Sequence, residues 1–338
     1  MHTPSPGRLL AAVVVGIVTA QALMVLAFAW PAANVGPREL PVAVAGPPQA
    51  VEQVEATLAA VRSPDGDGPA FEVVTVDDAA AAVDAIGDRE VYGAIVVSPD
   101  GPELLVASAA GPAVAQMLRS AATELSPEAA TVAVEDVVPT DPDDPIGAGL
   151  GAAVLPLVMT SVAGGIVAGF VVRHRWHRLA AIGGIAVFGG LASAAVLQYV
   201  LGIFGGSYLA VAGVLALLVG AVAAVMAGLV GLLGRAGAVI GALTMIVVGN
   251  PLSAAASAWQ MLPQPWGAFG QLLPPGAGVS ATRSMAFFAG AGAAQPLIVL
   301  SLWLLAGLAV LFIGSRRHRD STSVDTDTAQ EISVSATG

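Results

Sequence analysis

The side chains in this sequence that suit chemistry are arginines, histidines and clustered carboxylates. His174 and His177 stand three residues apart, a spacing that metal ligands use. They lie in a cluster with Arg173, Arg175 and Arg178 at the end of an apolar run. Because arginines at the end of an apolar run mark the cytoplasmic flank of a membrane helix, we interpret this cluster as a topology signal.

Two loops carry closely spaced carboxylates, the first with Asp65 and Asp67 and the second with Asp141, Asp143 and Asp144. Calcium binding is one interpretation, because hard oxygen ligands gather there. Neither loop has the spacing or the final glutamate of an EF-hand, so we favour solvated acidic loops. The sequence therefore predicts no metal and no cofactor bound by this chain.

No set of residues predicts an enzyme. The chain has no cysteine, and residues 32–145 contain no histidine, so no cysteine nucleophile and no serine triad can form there. All 13 basic residues are arginine, which excludes the lysine of a nucleotide-binding P-loop. A net charge of -11 without a basic stripe argues against nucleic-acid binding.

The elements that carry these residues are mostly apolar. Of the 338 residues, 56% are hydrophobic and 11% charged, and the mean hydropathy is +0.80. Soluble domains carry about 25% charged residues, so the composition predicts an α-helical integral membrane protein. Six runs are long enough to cross a bilayer. They cover about 9–30 (ended by Pro31), 147–172, 179–204, 208–233, 236–252 and 296–313.

Arginines set the predicted orientation. They occur at Arg8, at the cluster 173–178, at Arg235 and at Arg316, Arg317 and Arg319, all on one side of a six-span topology. Cytoplasmic flanks carry the excess of arginine, so we predict a multi-pass protein with both termini in the cytoplasm. The first run is longer than the apolar core of a signal peptide, which favours an uncleaved anchor over a cleaved signal.

Residues 32–145 form the second predicted part. Twenty of the 24 acidic residues lie there, and short alternating segments replace the long apolar runs. This pattern predicts an extracytoplasmic α/β domain inserted between helices 1 and 2. The predicted boundaries are 1–31 (stub and helix 1), 32–145 (α/β domain), 146–256 (helices 2–5), 257–295 (hairpin), 296–315 (helix 6) and 316–338 (disordered cytoplasmic tail).

The membrane half has almost no ionisable residue, and residues 145–319 contain no carboxylate, which argues against a proton pump. Glycines at small-xxx-small spacing predict helix-packing surfaces, with dimerisation as the second interpretation. These pairs are Gly147/Gly151, Gly165/Gly169 and Gly237/Gly241. Polar positions are interpreted as interhelical hydrogen bonds, with substrate contact as the alternative. They are Gln21, Thr160, Ser161, Ser193, Gln198, Thr244 and Asn250.

The segment 257–295 is broken by prolines and rich in aromatic residues. Trp266 and Phe269 favour a membrane interface. We predict two short helices that dip into the outer leaflet and are joined by a turn at 273–278, which contains Pro274, Pro275 and Gly276. Arg283 is expected near the outer surface, facing lipid phosphate or an acid of the α/β domain.

These features resemble a known family. The resemblance rests on two motifs. The first is VYGAIVV at 91–97, and the second is the stretch with Pro265-Trp266, Phe269-Gly270, LPPGAG at 273–278, Arg283-Ser284 and Phe287-Phe288. One span, an outer domain, and further spans with a re-entrant hairpin before the last resemble permease subunits of ABC-2 type exporters. The likeness is greatest to the YhgE or phage-infection-protein branch. The resemblance implies export of a hydrophobic or amphipathic substrate across the bacterial cell membrane.

The resemblance also implies partners. A separate cytoplasmic ABC ATPase would supply energy from ATP, and two permeases would pair as a homodimer or heterodimer in contact with membrane lipid. Arg173, Arg175, Trp176 and Arg178 are the candidate ATPase-coupling loop. Trp266, Phe269, Pro274, Pro275, Gly276 and Arg283 are the candidate outer gate. The alternative function is a non-transporting membrane scaffold or surface receptor, related to secretion or phage infection.

Overall fold

Apolar helices dominate the structure, a computed structural model that describes residues 6–66, 68–99, 101–124 and 132–313. Asp67, Arg316, Arg317, Arg319 and the predicted tail 316–338 lie outside these ranges. In chain order the elements are α1 (Pro6–Ala33), β1 (Leu40–Ala45), α2 (Pro48–Ala60), β2 (Phe71–Thr75), α3 (Ala79–Gly87), β3 (Gly93–Ser98), β4 (Gly101–Val106), α4 (Pro112–Glu124), β5 (Ala133–Asp136), α5 (Gly149–Val171), α6 (Arg175–Ala195), α7 (Tyr208–Leu233), α8 (Arg235–Ala242), α9 (Trp266–Gln271), α10 (Pro274–Phe287) and α11 (Ala294–Ile313). Short π-helical turns follow α6 (Val196–Val200) and α8 (Leu243–Gly249), and 3-10 turns cover Pro251–Ser253 and Trp259–Met261.

Five helices of the described ranges are long and apolar enough to cross a membrane, as a multi-pass membrane protein requires: α1, α5, α6 with its π turn, α7 and α11. The predicted fifth span is shorter, because α8 and the π turn after it end at Gly249. Together they extend about 22 Å at the helical rise, against a hydrocarbon core of about 30 Å. The six-span count is therefore not confirmed. Pro31 does not stop the first helix as predicted, since α1 continues to Ala33.

Helix α7 is the centre of the bundle and is the most buried of the candidate spans. Gly165 and Gly169 of α5 face it so closely that a β-carbon at either position would clash, at Gly165 with the Ala223 carbonyl 2.6 Å away. The predicted packing role of this pair is confirmed. Gly147 lies before α5 in a positive-φ conformation, so the predicted pair with Gly151 does not form one helix face.

Helix α1 stands beside this bundle. None of the residues in its most apolar stretch is buried, and Leu10 and Ile17 are among its exposed side chains. A helix whose most apolar stretch stays exposed requires lipid or another chain around that stretch, as expected for a membrane span.

Residues 40–136 contain a five-stranded sheet in the order β2-β1-β3-β4-β5. Strand β1 is parallel to β2 and β3, β4 is antiparallel to β3, and β5 is parallel to β4. The side chain of Asp78 accepts a hydrogen bond from the Ala81 amide (2.9 Å) and caps the start of α3. Ala43, Ile86 and Val96 belong to one of the cores that fix the sheet against its helices.

The sheet lies at one end of the helix bundle, which we call the sheet side. Both carboxylate oxygens of Asp144 accept bonds from the first amides of α5, Ala148 (2.9 Å) and Gly149 (2.8 Å). Asp143 lies against Gly202, between α6 and α7. The loops at 172–174 and at Gly234 are at the opposite ends of the same helices, which we call the far side.

Candidate functional site

The predicted coupling loop lies on the far side, at the start of α6. Arg178 donates from Nε to the Val172 carbonyl (3.0 Å) and from Nη2 to the Gly169 carbonyl (2.9 Å). It thereby satisfies carbonyls that the last turn of α5 leaves without an intrahelical partner. Arg178 is thus engaged in holding α5 against α6.

The other members of this loop remain more accessible. The Arg175 guanidinium lies 5.5 Å from the centre of the Trp176 ring, and Trp176 packs edge-on against Phe312 of α11 (6.4 Å). Trp176 is 57% exposed and Arg173 is exposed. Three basic or aromatic side chains therefore form one far-side surface, and its role in ATPase coupling stays a prediction.

The predicted hairpin is present as the pair α9–α10, but its turn is misplaced in the prediction. The helices are joined at Leu272 and Leu273. Pro274 and Pro275 begin α10 instead of forming the turn, because proline suits the first helical turn, where no backbone N–H is needed. Gly276 also lies inside α10, where a β-carbon would meet the Gly270 carbonyl at 2.2 Å.

The tip of this pair reaches about halfway along the neighbouring spans. Trp303 donates from its ring nitrogen to the Leu272 carbonyl (2.7 Å) and lies about 13 Å along α11 from its start. Gly278 packs against Leu218, about 15 Å along α7 from its start. Both starts are on the sheet side, so the pair enters the bundle from that side and turns back.

Trp266 and Phe269 of α9 lie in an edge-on pair with ring centres 6.3 Å apart, and both are partly exposed. Exposed aromatic rings beside apolar spans are the arrangement that membrane interfaces favour.

Arg283 of α10 is not at the surface, which corrects the expected contact with lipid or an acid. Its side chain is buried, with 4% of the residue exposed. Nη1 donates to the Ser257 carbonyl (3.3 Å) and Nη2 to the Ala255 carbonyl (2.9 Å). Within the described ranges, no carboxylate lies within ion-pair distance of it.

Arg89 reaches the same helix from the sheet region. It has a positive φ of 61° in the turn after α3, and its Nη1 donates to the Ser280 carbonyl (3.0 Å) and to the Ser284 hydroxyl. Its guanidinium also lies 5.2 Å from the Phe288 ring centre. Burial lowers the pKa of Arg89. No sequence pattern singles out this residue, although it is one of only four arginines in residues 32–145 and lies two positions before the 91–97 motif.

A cavity of about 360 Å³ separates the sheet region from the α9–α10 pair, and both arginines line it. Tyr92 donates to the Gln260 side-chain oxygen (3.0 Å) on its wall, and burial raises the pKa of Tyr92. The Gln271 side-chain oxygen accepts a bond from Ser280 (2.6 Å). The buried Gln271 amide nitrogen has no partner among the described residues. The cavity thus offers hydrogen-bond donors and positive charge.

The charge of this lining is unbalanced. Its ionised side chains are those of Arg89, Arg283 and Glu90, two positive charges against one negative. Glu90 is exposed and forms no ion pair with either arginine. A lining of this kind suits binding of a negatively charged or carbonyl-rich molecule.

No protein-family model matches the sequence, and comparisons with curated proteins and with solved structures give no match. The resemblance to ABC-2 permeases therefore stays an expectation from the sequence.

Proposed function

We propose that this chain is the permease subunit of an ABC-2-like exporter in a bacterial cell membrane. It moves a hydrophobic or amphipathic substrate outward, and a separate cytoplasmic ATPase supplies the energy. In this proposal the sheet region is an extracytoplasmic α/β domain, the far side faces the cytoplasm together with both termini, and two permease subunits pair in the membrane.

The observation that carries this proposal is the α9–α10 pair. It enters the helix bundle from the sheet side, turns at Leu272–Leu273 at about half the depth of α11, and is followed directly by that last span. Non-helical backbone at membrane depth is tolerated where protein covers it or where it lines a cavity. The pair therefore suits a gate on the outer half of a transport path.

The far side supports the other half of the proposal. Arg173 is exposed on the short connection between α5 and α6, and Trp176 is exposed beside Arg175 in the first turn of α6. A rigid helix turn that presents positive charge and an aromatic ring is a suitable docking surface for an ATPase, because aromatic and arginine side chains dominate protein interfaces.

The first experiment isolates the tagged chain from its native host in mild detergent and identifies every stoichiometric partner. We expect a nucleotide-binding subunit whose ATPase activity changes on binding. In the variant Arg173→Glu/Trp176→Ala its recovery should fall, whereas the exposed sheet-region variant Arg62→Glu should retain it. An intact, abundant chain that brings no ATPase would instead support the scaffold or receptor function.

A second experiment tests the orientation. The chain has no cysteine, so single cysteines at the exposed positions Glu52 and Arg173 can be labelled without background. A membrane-impermeant maleimide should label Glu52→Cys in intact cells and should label Arg173→Cys only after the membrane is opened. The reverse pattern would place the sheet region in the cytoplasm and would rule out the proposed exporter.

A further inference from the structure

We propose that the cavity between Arg89 and Arg283 binds the oxyanion headgroup of an amphipathic molecule, and that phosphate is the representative headgroup. This inference deepens the proposed function, since it rests on that function for the claim that the bound molecule is the exported substrate. The binding site itself depends only on the geometry of the described residues.

The donor geometry of the two arginines favours an oxyanion. A guanidinium carries five N–H groups, and the two hydrogen bonds of Arg89 both come from Nη1. Its Nε and Nη2 groups are the pair that grips an oxyanion in a bidentate manner. Arg283 likewise uses two of its five N–H groups, on the Ser257 and Ala255 carbonyls. Each arginine thus keeps donors for a ligand while carbonyl bonds fix its position.

The unbalanced charge of the cavity lining also favours an anion. Folding brings two guanidinium groups to one cavity, and neither has a carboxylate within 4 Å among the described residues. Burial of charge is costly unless it is paired. An oxyanion between the two arginines compensates both charges, which no neutral ligand can do.

Gln271 adds an unsatisfied donor beside the cavity that it lines. Its side-chain oxygen is fixed by Ser280, and its buried amide nitrogen has no partner among the described residues. A buried donor without an acceptor costs stability, and an anion oxygen supplies that acceptor. Three independent groups therefore point to one ligand chemistry.

The size and position of the cavity favour an amphipathic ligand. A volume of about 360 Å³ is at the lower end of the range for small-molecule sites. Ala254, Ala258 and Trp259 give the lining an apolar part next to the arginines, and Pro296 of α11 closes one side. In the proposed complex a phosphate lies between the arginines and an alkyl chain contacts the apolar part.

The test measures equilibrium binding by calorimetry with the full-length chain in lipid discs of phosphatidylcholine. The probes are octyl phosphate, inorganic phosphate and, as the neutral match, octanol. We expect octyl phosphate to bind, inorganic phosphate to bind more weakly and octanol not to bind. Arg89→Gln should weaken octyl phosphate binding about tenfold or more, the loss expected for a charge-assisted contact, while the exposed Arg62→Gln should bind as the parent does.

Two further variants keep the test decisive if Arg89→Gln does not fold. Gln271→Leu should weaken binding by removing the buried amide donor. Glu90→Gln should tighten it by up to about fivefold, because it removes the single negative charge of the lining at an exposed position. Octyl phosphate binding that none of these changes affects would place the anion elsewhere and overturn the proposal.

The remaining outcomes identify the source of the ligand. If phosphatidate in the discs abolishes octyl phosphate binding, the ligand is a membrane lipid headgroup. If phosphatidate leaves the binding unchanged, the ligand is an amphipath from outside the bilayer. Both outcomes support the site. Absence of octyl phosphate binding, or equal affinity for inorganic phosphate, would overturn it. The binding assay contains no ATPase. Absence of octyl phosphate binding therefore does not contradict the exporter proposal, and a pull-down without an ATPase does not contradict the anion site.

Discussion

The hydrogen bond between the Trp303 ring and the Leu272 carbonyl holds the tip of the α9–α10 pair, so its removal tests the position of that pair. The variant Trp303→Phe keeps an aromatic ring and deletes only the donor. In a lipid environment the Leu272 carbonyl then has no water to replace the lost partner. The N···O distance of 2.7 Å indicates a well-formed bond.

Two values bound the loss in free energy of unfolding that Trp303→Phe should cause. Interhelical hydrogen bonds in membrane proteins contribute about 0.6 kcal/mol on average, and leaving a buried acceptor unsatisfied costs about 1–3 kcal/mol. We expect a loss of about 1 kcal/mol, which lowers the unfolding midpoint by about 1–4 °C. Amide hydrogen exchange in the peptides that cover 266–278 should become faster, because the tip loses its tether to α11.

The matched control is Trp266→Phe. Trp266 is exposed and its ring nitrogen donates no hydrogen bond within the described part of the chain. Circular dichroism follows unfolding in both variants, since tryptophan fluorescence changes with the substitutions themselves. If Trp303→Phe and Trp266→Phe give the same midpoint and the same exchange at 266–278, the tip is not held against α11 and the re-entrant geometry is refuted.

Two further perturbations test the bundle and the attachment of the sheet. Gly165→Ala places a β-carbon 2.6 Å from the Ala223 carbonyl and should destabilise the chain by about 1–3 kcal/mol. The control Gly213→Ala on α7, where a β-carbon would have no atom within 4 Å, should leave the stability unchanged. Equal unfolding midpoints for the two variants would contradict the tight α5–α7 contact. The Arg38 guanidinium, by hydrogen bonding and by its charge, lowers the pKa of Asp65 below the ordinary value for an aspartate. This contact therefore stabilises the folded state above about pH 4, and the stabilisation is lost as the pH falls through that lowered pKa. Stability measured against pH should show this loss in the parent and not in Asp65→Asn; identical acid profiles would refute it.

Much of the sheet region was predictable from the sequence because its strands are short alternating segments between turn residues. Strands β1 (Leu40–Ala45) and β2 (Phe71–Thr75) are two such segments. The same rules misplaced the hairpin turn, since a Pro-Pro pair marks a turn in most sequences. Pro274 and Pro275 instead use their fixed φ to begin α10.

The predicted fifth span is not confirmed, for a related reason. The sequence stays apolar up to Leu252 apart from Thr244 and Asn250, and a hydropathy average includes all of these residues. The helix nevertheless ends at Gly249, and the chain turns through a 3-10 segment to Ala254, which has a positive φ of 55°. Composition measures how apolar a segment is, but it does not show where the backbone leaves the helix.

The cavity could not be predicted from the sequence, because its lining residues lie far apart in the chain. Arg89 contacts Ser284, 195 positions later, and no local pattern encodes such a pair. The sequence did indicate that Arg283 is unusual, since it is the only charged residue between Arg235 and Arg316. Its actual partners, the carbonyls of Ser257 and Ala255, follow only from the fold.

The two arginines also indicate how a ligand would act on the fold. Arg89 belongs to the sheet region and Arg283 to α10, so an anion held by both connects the sheet to the α9–α10 pair. Binding to the folded chain alone raises its stability in proportion to the logarithm of ligand concentration. The same anion removes the repulsion between the two guanidinium groups, which otherwise favours their separation. Occupancy of the cavity therefore favours the arrangement in which the sheet rests on the α9–α10 pair, and release of the anion weakens that contact. In an exporter this coupling would make departure of the substrate headgroup the event that loosens the outer gate.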